Sequence, residues 1–297
     1  MKPRQHGFTL VELITVMVLM GILAGTFMVF FKPTIDGYFD ARRRADLTDI
    51  ADTALRKIAQ DVRRAAPNSV NVIDATTTAD NVACVQLVPT VGGGRYRTGP
   101  DLTNDDASCP TSGVCAAYPD SSAAASATPT FDVLVSQFSG ATDPIVKDAT
   151  VVINNQNGDD VYDTGLSRAT ITNTVAAPPR PGFGTHRVTL SRNPTAGGYD
   201  AGRFQIVAAT EASVIYSCSG GRLIRTNVGS FTKQATCPAY SAAMNPYVLA
   251  TDLKSCEFQY SANMGGQQSG YLWMTIVLER QNEAVTLAHG SHVDNIP

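Results

Sequence analysis

The sequence predicts an α+β protein: a long N-terminal helix, membrane-spanning in its first half and amphipathic in its second, packed on a largely antiparallel sheet. Three observations carry that expectation. Residues 8–31 are apolar apart from Glu12 and a few threonines. Between Leu47 and Val62 apolar residues return at helical spacing. Beyond Pro67 the apolar period shortens to two, with clusters of Gly, Pro, Asn and Ser between short runs.

At about 1.5 Å per residue the 8–31 helix covers roughly 36 Å, enough to cross a bilayer with some tilt. A secretory signal has a shorter apolar core that ends on a small-residue cleavage site, and neither feature is present. A plain signal anchor leaves Glu12 unexplained, because a charge in hydrocarbon is costly unless it is paired or faces protein. A cut between Gly7 and Phe8 resolves the difficulty. It leaves the Phe8 ammonium at the helix tip, with Glu12 one turn further on. Between packed subunits, Glu12 of one chain neutralises the Phe8 amine of a neighbour and fixes the axial register.

The segment Gly7-Phe8-Thr9-Leu10-Val11-Glu12-Leu13, preceded by Lys2 and Arg4, resembles the processing motif of type IV pilins and type II secretion pseudopilins. The resemblance implies that a prepilin peptidase cleaves after Gly7 and methylates Phe8. It also implies that Glu12 serves assembly with other pilin and minor pilin subunits on an inner-membrane platform. Residues 8–31 are then the inner-membrane anchor, with the N-terminus cytoplasmic and the body periplasmic before it enters a pilus or pseudopilus. One pattern opposes that orientation. Lys32, Arg42, Arg43 and Arg44 outnumber Lys2 and Arg4, and the positive-inside rule then favours the reverse. The arginines alternate with Asp36, Asp40 and Asp46, and they read as charges on a helix face.

The expected organisation is a leader at 1–7, a membrane or filament-core helix at 8–31, an amphipathic half at 32–67 and a β-rich extracytoplasmic body at 68–297. Pro33 and Gly37 are weak points in the helix. Leu47, Ile50, Ala51, Ala54, Leu55, Ile58 and Val62 form its apolar stripe. The pairs Asp52/Arg56 and Lys57/Asp61 are expected on its polar side, and Pro67 at its end. Strands are expected at 70–73, 82–88, 131–138, 150–153, 187–190, 204–207, 214–216, 222–225, 257–260, 272–278 and 284–287. Ser219-Gly220-Gly221 reads as a hairpin turn, and residues 89–130 and 174–185 read as loops. Val214-Ile215-Tyr216, the segment from Gly221 to Arg225, Cys256-Glu257-Phe258-Gln259-Tyr260 and the closing His292-Val293-Asp294 resemble larger minor pseudopilins of the J class. Residues 40–67 and the closing segment resemble MshO-type minor pilins of the mannose-sensitive haemagglutinin pilus system.

The formal net charge of −3 gives no electrostatic case for nucleic acid as a partner. An even set of six cysteines in an exported chain favours disulfides, and no Cys-x2-Cys spacing suggests zinc. Cys84, Cys109 and Cys115 lie in the first half, Cys218, Cys237 and Cys256 in the second. Local pairing within each half therefore leaves one over on each side. Cys109–Cys115 is expected to clip a short loop and Cys218–Cys237 to tie the hairpin to the next loop, with Cys84 and Cys256 also available. His6, His186, His289 and His292 join no ligand cluster. Residues 154–160 are rich in oxygen ligands but lack the spaced acids of a calcium loop, so an ordinary polar turn is expected. Gly92-Gly93-Gly94-Arg95 lacks the Lys-Ser/Thr of a phosphate loop and reads as a flexible turn. No catalytic constellation emerges, and the expectation is no enzyme, no cofactor and no metal. The bulky body and long loops suit a minor subunit of an MSHA-type pilus, with a J-type secretion pseudopilin or a tip adhesin as alternatives.

Overall fold

The computed structural model describes residues 9–73, 83–109, 113–119, 129–138, 143–175, 178–194, 201–238, 246–262 and 269–296. The chain is α+β, with one long helix packed on antiparallel sheets, consistent with a pilin-like fold. Helix α1 (Leu10–Arg63) begins at Thr9, whose extended backbone and hydroxyl cap the first turn. It passes through Pro33 without a break and stops at Arg63, short of Pro67. Asn68, in the left-handed region at φ 56°, turns the chain away.

Among the described residues fourteen strands come after it: β1 (Asn71–Ile73), β2 (Cys84–Leu87), β3 (Gly92–Tyr96), β4 (Thr130–Phe138), β5 (Thr150–Ile153), β6 (Arg168–Val175), β7 (His186–Leu190), β8 (Arg203–Val207), β9 (Val214–Ser219), β10 (Arg222–Asn227), β11 (Tyr247–Ala250), β12 (Leu253–Ser261), β13 (Ser269–Arg280) and β14 (Glu283–Asp294). They make a five-stranded sheet in the order β1-β2-β9-β10-β11 and a three-stranded sheet β12-β13-β14. The remaining strands close into a barrel in the order β3-β4-β7-β6-β5-β8. Strands β2 and β9 are hydrogen-bonded neighbours, with Cys84 opposite Ser217 and Leu87 opposite Val214. The whole barrel is therefore inserted between two adjacent strands of the body sheet.

Two tight hairpins show why their turns hold these residues. Gly220 and Gly221 join β9 to β10 at φ 59° and 70°, the two left-handed positions that a two-residue turn requires. Gln281 and Asn282 take the same sign, 52° and 67°, between β13 and β14.

The main core lies between α1 and the two sheets. Leu47, Ala51, Ala54, Leu55, Ile58 and Val62 pack with Val85, Leu87, Val214, Tyr216, Leu272, Met274, Ile276 and Leu278. Ile50 is only partly buried. Asp61 overturns its expected place on the polar face. It is buried, accepts from Tyr216 Oη at 2.5 Å and Arg225 Nε at 3.0 Å, and keeps Lys57 Nζ at 3.0 Å. Burial alone pushes the Asp61 carboxyl up, but the hydrogen bonds from Tyr216 and Lys57 and the charge of Arg225 outweigh it, and the net shift is downward.

The barrel has its own core, in which the rings of Tyr96, Phe131 and Phe204 meet at centroid distances of 5.4, 5.6 and 6.5 Å. Here the expected loop 89–130 and the flexible glycine turn need correction, because Gly92-Gly93-Gly94-Arg95 are strand β3. At Gly94 a Cβ would lie 2.0 Å from the Val135 carbonyl oxygen, so a tight barrel wall demands glycine. Strands β6 and β11 and a 3₁₀ turn at Pro181–Phe183 likewise lie outside the expected elements. The barrel and the segment just beyond α1 meet at a small core of Ala66, Val88, Val152, Val161, Tyr162 and Val207. Tyr162 Oη donates to the Ser69 carbonyl at 2.5 Å, and Asn155 Nδ2 to that of Pro67 at 2.5 Å.

Candidate functional site: the exposed half of the helix

Gly7 and Phe8 lie outside the described residues, as does His6; the site is built from Thr9 onward. The Thr9 hydroxyl accepts from the Glu12 backbone N–H at 3.3 Å, and the spacing Thr9-x-x-Glu12 is that of a capping box. The spacing itself is a sequence signal for a helix start at Thr9, independent of any processing motif. Glu12 sits in the first turn, where a carboxylate complements the positive end of the helix dipole. Its side chain is exposed, and among the described residues its carboxylate has no partner.

Between Leu10 and Phe39 the apolar side chains are exposed on every side of the helix: Leu10 is 74% exposed, Met20 64% and Phe30 73%. Water alone cannot surround so long an apolar surface at low cost, since burying one such side chain is worth about 1.5–3 kcal/mol. By length and composition this part of α1 suffices to cross a membrane. Its polar groups are hidden from an apolar solvent. Thr15 Oγ1 donates to the Val11 carbonyl at 2.7 Å, Thr26 Oγ1 to that of Leu23 at 2.9 Å and Thr34 Oγ1 to that of Phe30 at 3.2 Å. Phe27 and Phe31, one turn apart, stack at 4.1 Å. Glu12 is the one charged side chain between Leu10 and Phe31.

Two of the three arginines beyond the span, Arg43 and Arg44, are engaged by the body. Arg43 pairs with Asp40 at 2.6 Å and also donates to Gln281 at the β13–β14 turn. Arg44 Nε meets Glu283 at 2.5 Å. They act as struts between the helix and the hairpin tip, which gives them a role other than setting orientation.

Elsewhere, the structure corrects one cysteine pairing. Cys109 is bonded to Cys115, but Cys218 is bonded to Cys256 rather than Cys237, and Cys237 to Cys84. Cys218 lies in β9 and Cys256 in β12, so that bridge staples the two sheets together; Cys84–Cys237 joins the two halves of the chain. In the 154–160 loop the oxygens serve local structure. Asn155 Oδ1 accepts from Ser167 and Asp160 from Asn157. His186 contacts Asp143 at 3.0 Å, His292 sits edge-on to Tyr271, and His289 Nε2 is buried without a hydrogen-bond partner. No group of His, Cys, Asp or Glu suited to hold a metal ion occurs among the described residues.

Comparison with known proteins bears on this N-terminal segment. Residues 2–28 match the family model described as the prokaryotic N-terminal methylation motif. That motif supports a type IV pilin-like protein. It implies processing by a prepilin peptidase and assembly with other pilins. Together with the apolar helix, it is consistent with an inner-membrane anchor for the pilin-like chain. No curated protein and no solved structure matched the chain.

Proposed function

We propose that the chain is a minor pilin of an MSHA-type type IV pilus, cleaved between Gly7 and Phe8, N-methylated on Phe8, and assembled through α1. It is a structural subunit and not an enzyme. The observation that carries this reading is the unpartnered apolar half of α1, with a single carboxylate one turn from the processed end. After cleavage the Phe8 ammonium lies four residues before Glu12 in the sequence. Both charges meet their opposites when neighbouring subunits pack with a small axial offset. Before assembly the same helix stores the subunit in the inner membrane, body outward.

The inserted barrel favours a minor rather than a bulk subunit. It adds a second folded unit to the pilin-like body, and mass of that kind at every filament position would be hard to pack. The same argument suits a J-type pseudopilin of a type II secretion system, which is the second reading. Two measurements test the proposal. Mass spectrometry of the membrane-stored chain should find an N-terminus at methylated Phe8, and an intact Met1 or a cut downstream of Phe31 would refute processing. Deletion of the gene should abolish or shorten surface pili; loss of protein secretion with intact pili would select the pseudopilin reading.

A further inference from the structure

The outer face of the barrel carries a groove of about 720 Å³ beside the end of α1. Its floor is β3. In the antiparallel register Arg95 of β3 stands directly opposite Arg203 of β8, and Gly93 stands between Gln137 of β4 and Gln205 of β8. Directly opposed residues place their Cβ atoms about 4.5–5.5 Å apart on one face, a spacing at which like charges repel. Among the described residues neither Arg95 nor Arg203 has an acidic partner. Arg64, at the helix end, closes one side of the groove.

Two further atoms point the same way. Arg64 Nε is buried without a hydrogen-bond partner, and so is Gln205 Oε1. Arg64 Nη2 donates to Asp61 at 3.4 Å, an acid it shares with Tyr216, Arg225 and Lys57. The guanidinium and amide side chains that line the groove suit a ligand with a negative oxygen and hydroxyls on one compact frame. Gly93, between Gln137 and Gln205, gives this stretch of the floor no side chain, so such a ligand can approach the backbone there. The volume lies within the usual range for small-ligand sites.

We propose that this groove binds an acidic saccharide, with the carboxylate of a hexuronate between Arg95 and Arg203 and its hydroxyls on Gln205 and Gln137. The ligand replaces a cross-strand repulsion with two charge-assisted contacts, and planar guanidinium groups suit a carboxylate. The site lies at the opposite end of α1 from Glu12. Its failure would leave the filament reading untouched, and failure of processing would leave the groove untouched.

The test is calorimetric titration of the full chain in detergent micelles with glucuronate, with glucose as the neutral control. Saturable binding of glucuronate is expected in the millimolar range, with glucose weaker by about tenfold or more. The double substitution Arg95→Gln/Arg203→Gln should weaken glucuronate by at least about tenfold. Gln205→Glu guards against a double variant that does not fold. It places a carboxylate in the groove, and it should raise the thermal midpoint without ligand while abolishing glucuronate binding. Absence of saturation, equal binding of glucose, or undiminished binding by these variants would overturn the proposal.

Discussion

The two halves of α1 share one backbone geometry and obey opposite rules of burial. From Leu10 to Phe39 the helix shows apolar side chains all round and hides its hydroxyls in its own carbonyls. From Leu47 to Val62 it turns one stripe to the sheets and sends a carboxylate, Asp61, inward to Arg225 and Tyr216. Glu12 and Asp61 are thus both acids in apolar surroundings, one without a partner within the described residues and one fully satisfied. The difference separates assembly from folding: the body completes its own core from Leu47 onward, and the first half of α1 is left for a partner outside the chain.

Substitutions should divide along the same line. The largest effects on stability are expected in the body, from its disulfides. A cross-link that closes a longer loop constrains the unfolded chain more. The bridges span separations of 153, 38 and 6 residues for Cys84–Cys237, Cys218–Cys256 and Cys109–Cys115. Serine pairs at these sites should cost about 5, 4 and 2 kcal/mol respectively in chemical denaturation, with membrane retention unchanged. A different order would remove the loop-length account.

Next comes Asp61→Ala, which leaves Arg225 with Glu211 alone and the buried Tyr216 hydroxyl without its acceptor, and should cost about 3 kcal/mol. The measurement is the unfolding midpoint of the full chain in micelles; a loss as small as that of a surface substitution would place Asp61 back on the polar face. The acid dependence of stability is set by the same residue. The Asp61 carboxyl is held below its ordinary 3.8 in the folded chain. Its contribution is therefore complete above that value and is lost as pH falls through the depressed folded value. Asp61→Asn should flatten this part of the stability profile, and an unchanged acid limb would contradict the assignment. The smallest effect is expected in the exposed half, where Val18→Ala should leave the unfolding midpoint of the body unmoved.

Legibility in the sequence depends on the strength of each local pattern. The helix and most of the strands are readable, because apolar runs at period 3.6 or 2 are what packing against a single core requires. Strand β3 escapes that pattern because Gly92, Gly93 and Gly94 carry no side chains to alternate; the closeness of Phe204 and Val135 explains Gly93 and Gly94. Strand β6 escapes it because Ala169 and Ile171, the buried apolar residues among those described, are set among threonines and an asparagine. The spacing of Asp61 from Lys57 suggests a polar-face pair. Yet Asp61 also stands three residues beyond Ile58 and seven beyond Ala54, within the apolar stripe, and an acid there is a sign of a buried partner. The partners themselves, Tyr216 and Arg225, lie far along the chain, as do those of Cys84 and Cys218, and no local pattern announces them.

For the exposed half, the decisive measurement is the amount of subunit in sheared filaments relative to the membrane fraction, compared between the native chain and Glu12→Gln. The neutral side chain should leave cleavage at Phe8 and the stability of the body unchanged while reducing incorporation by about tenfold or more, the scale of one lost charge pair in an apolar interface. Equal incorporation of the two chains would contradict the pairing of Glu12 with a neighbour's amine, and with it the role assigned to the first half of α1.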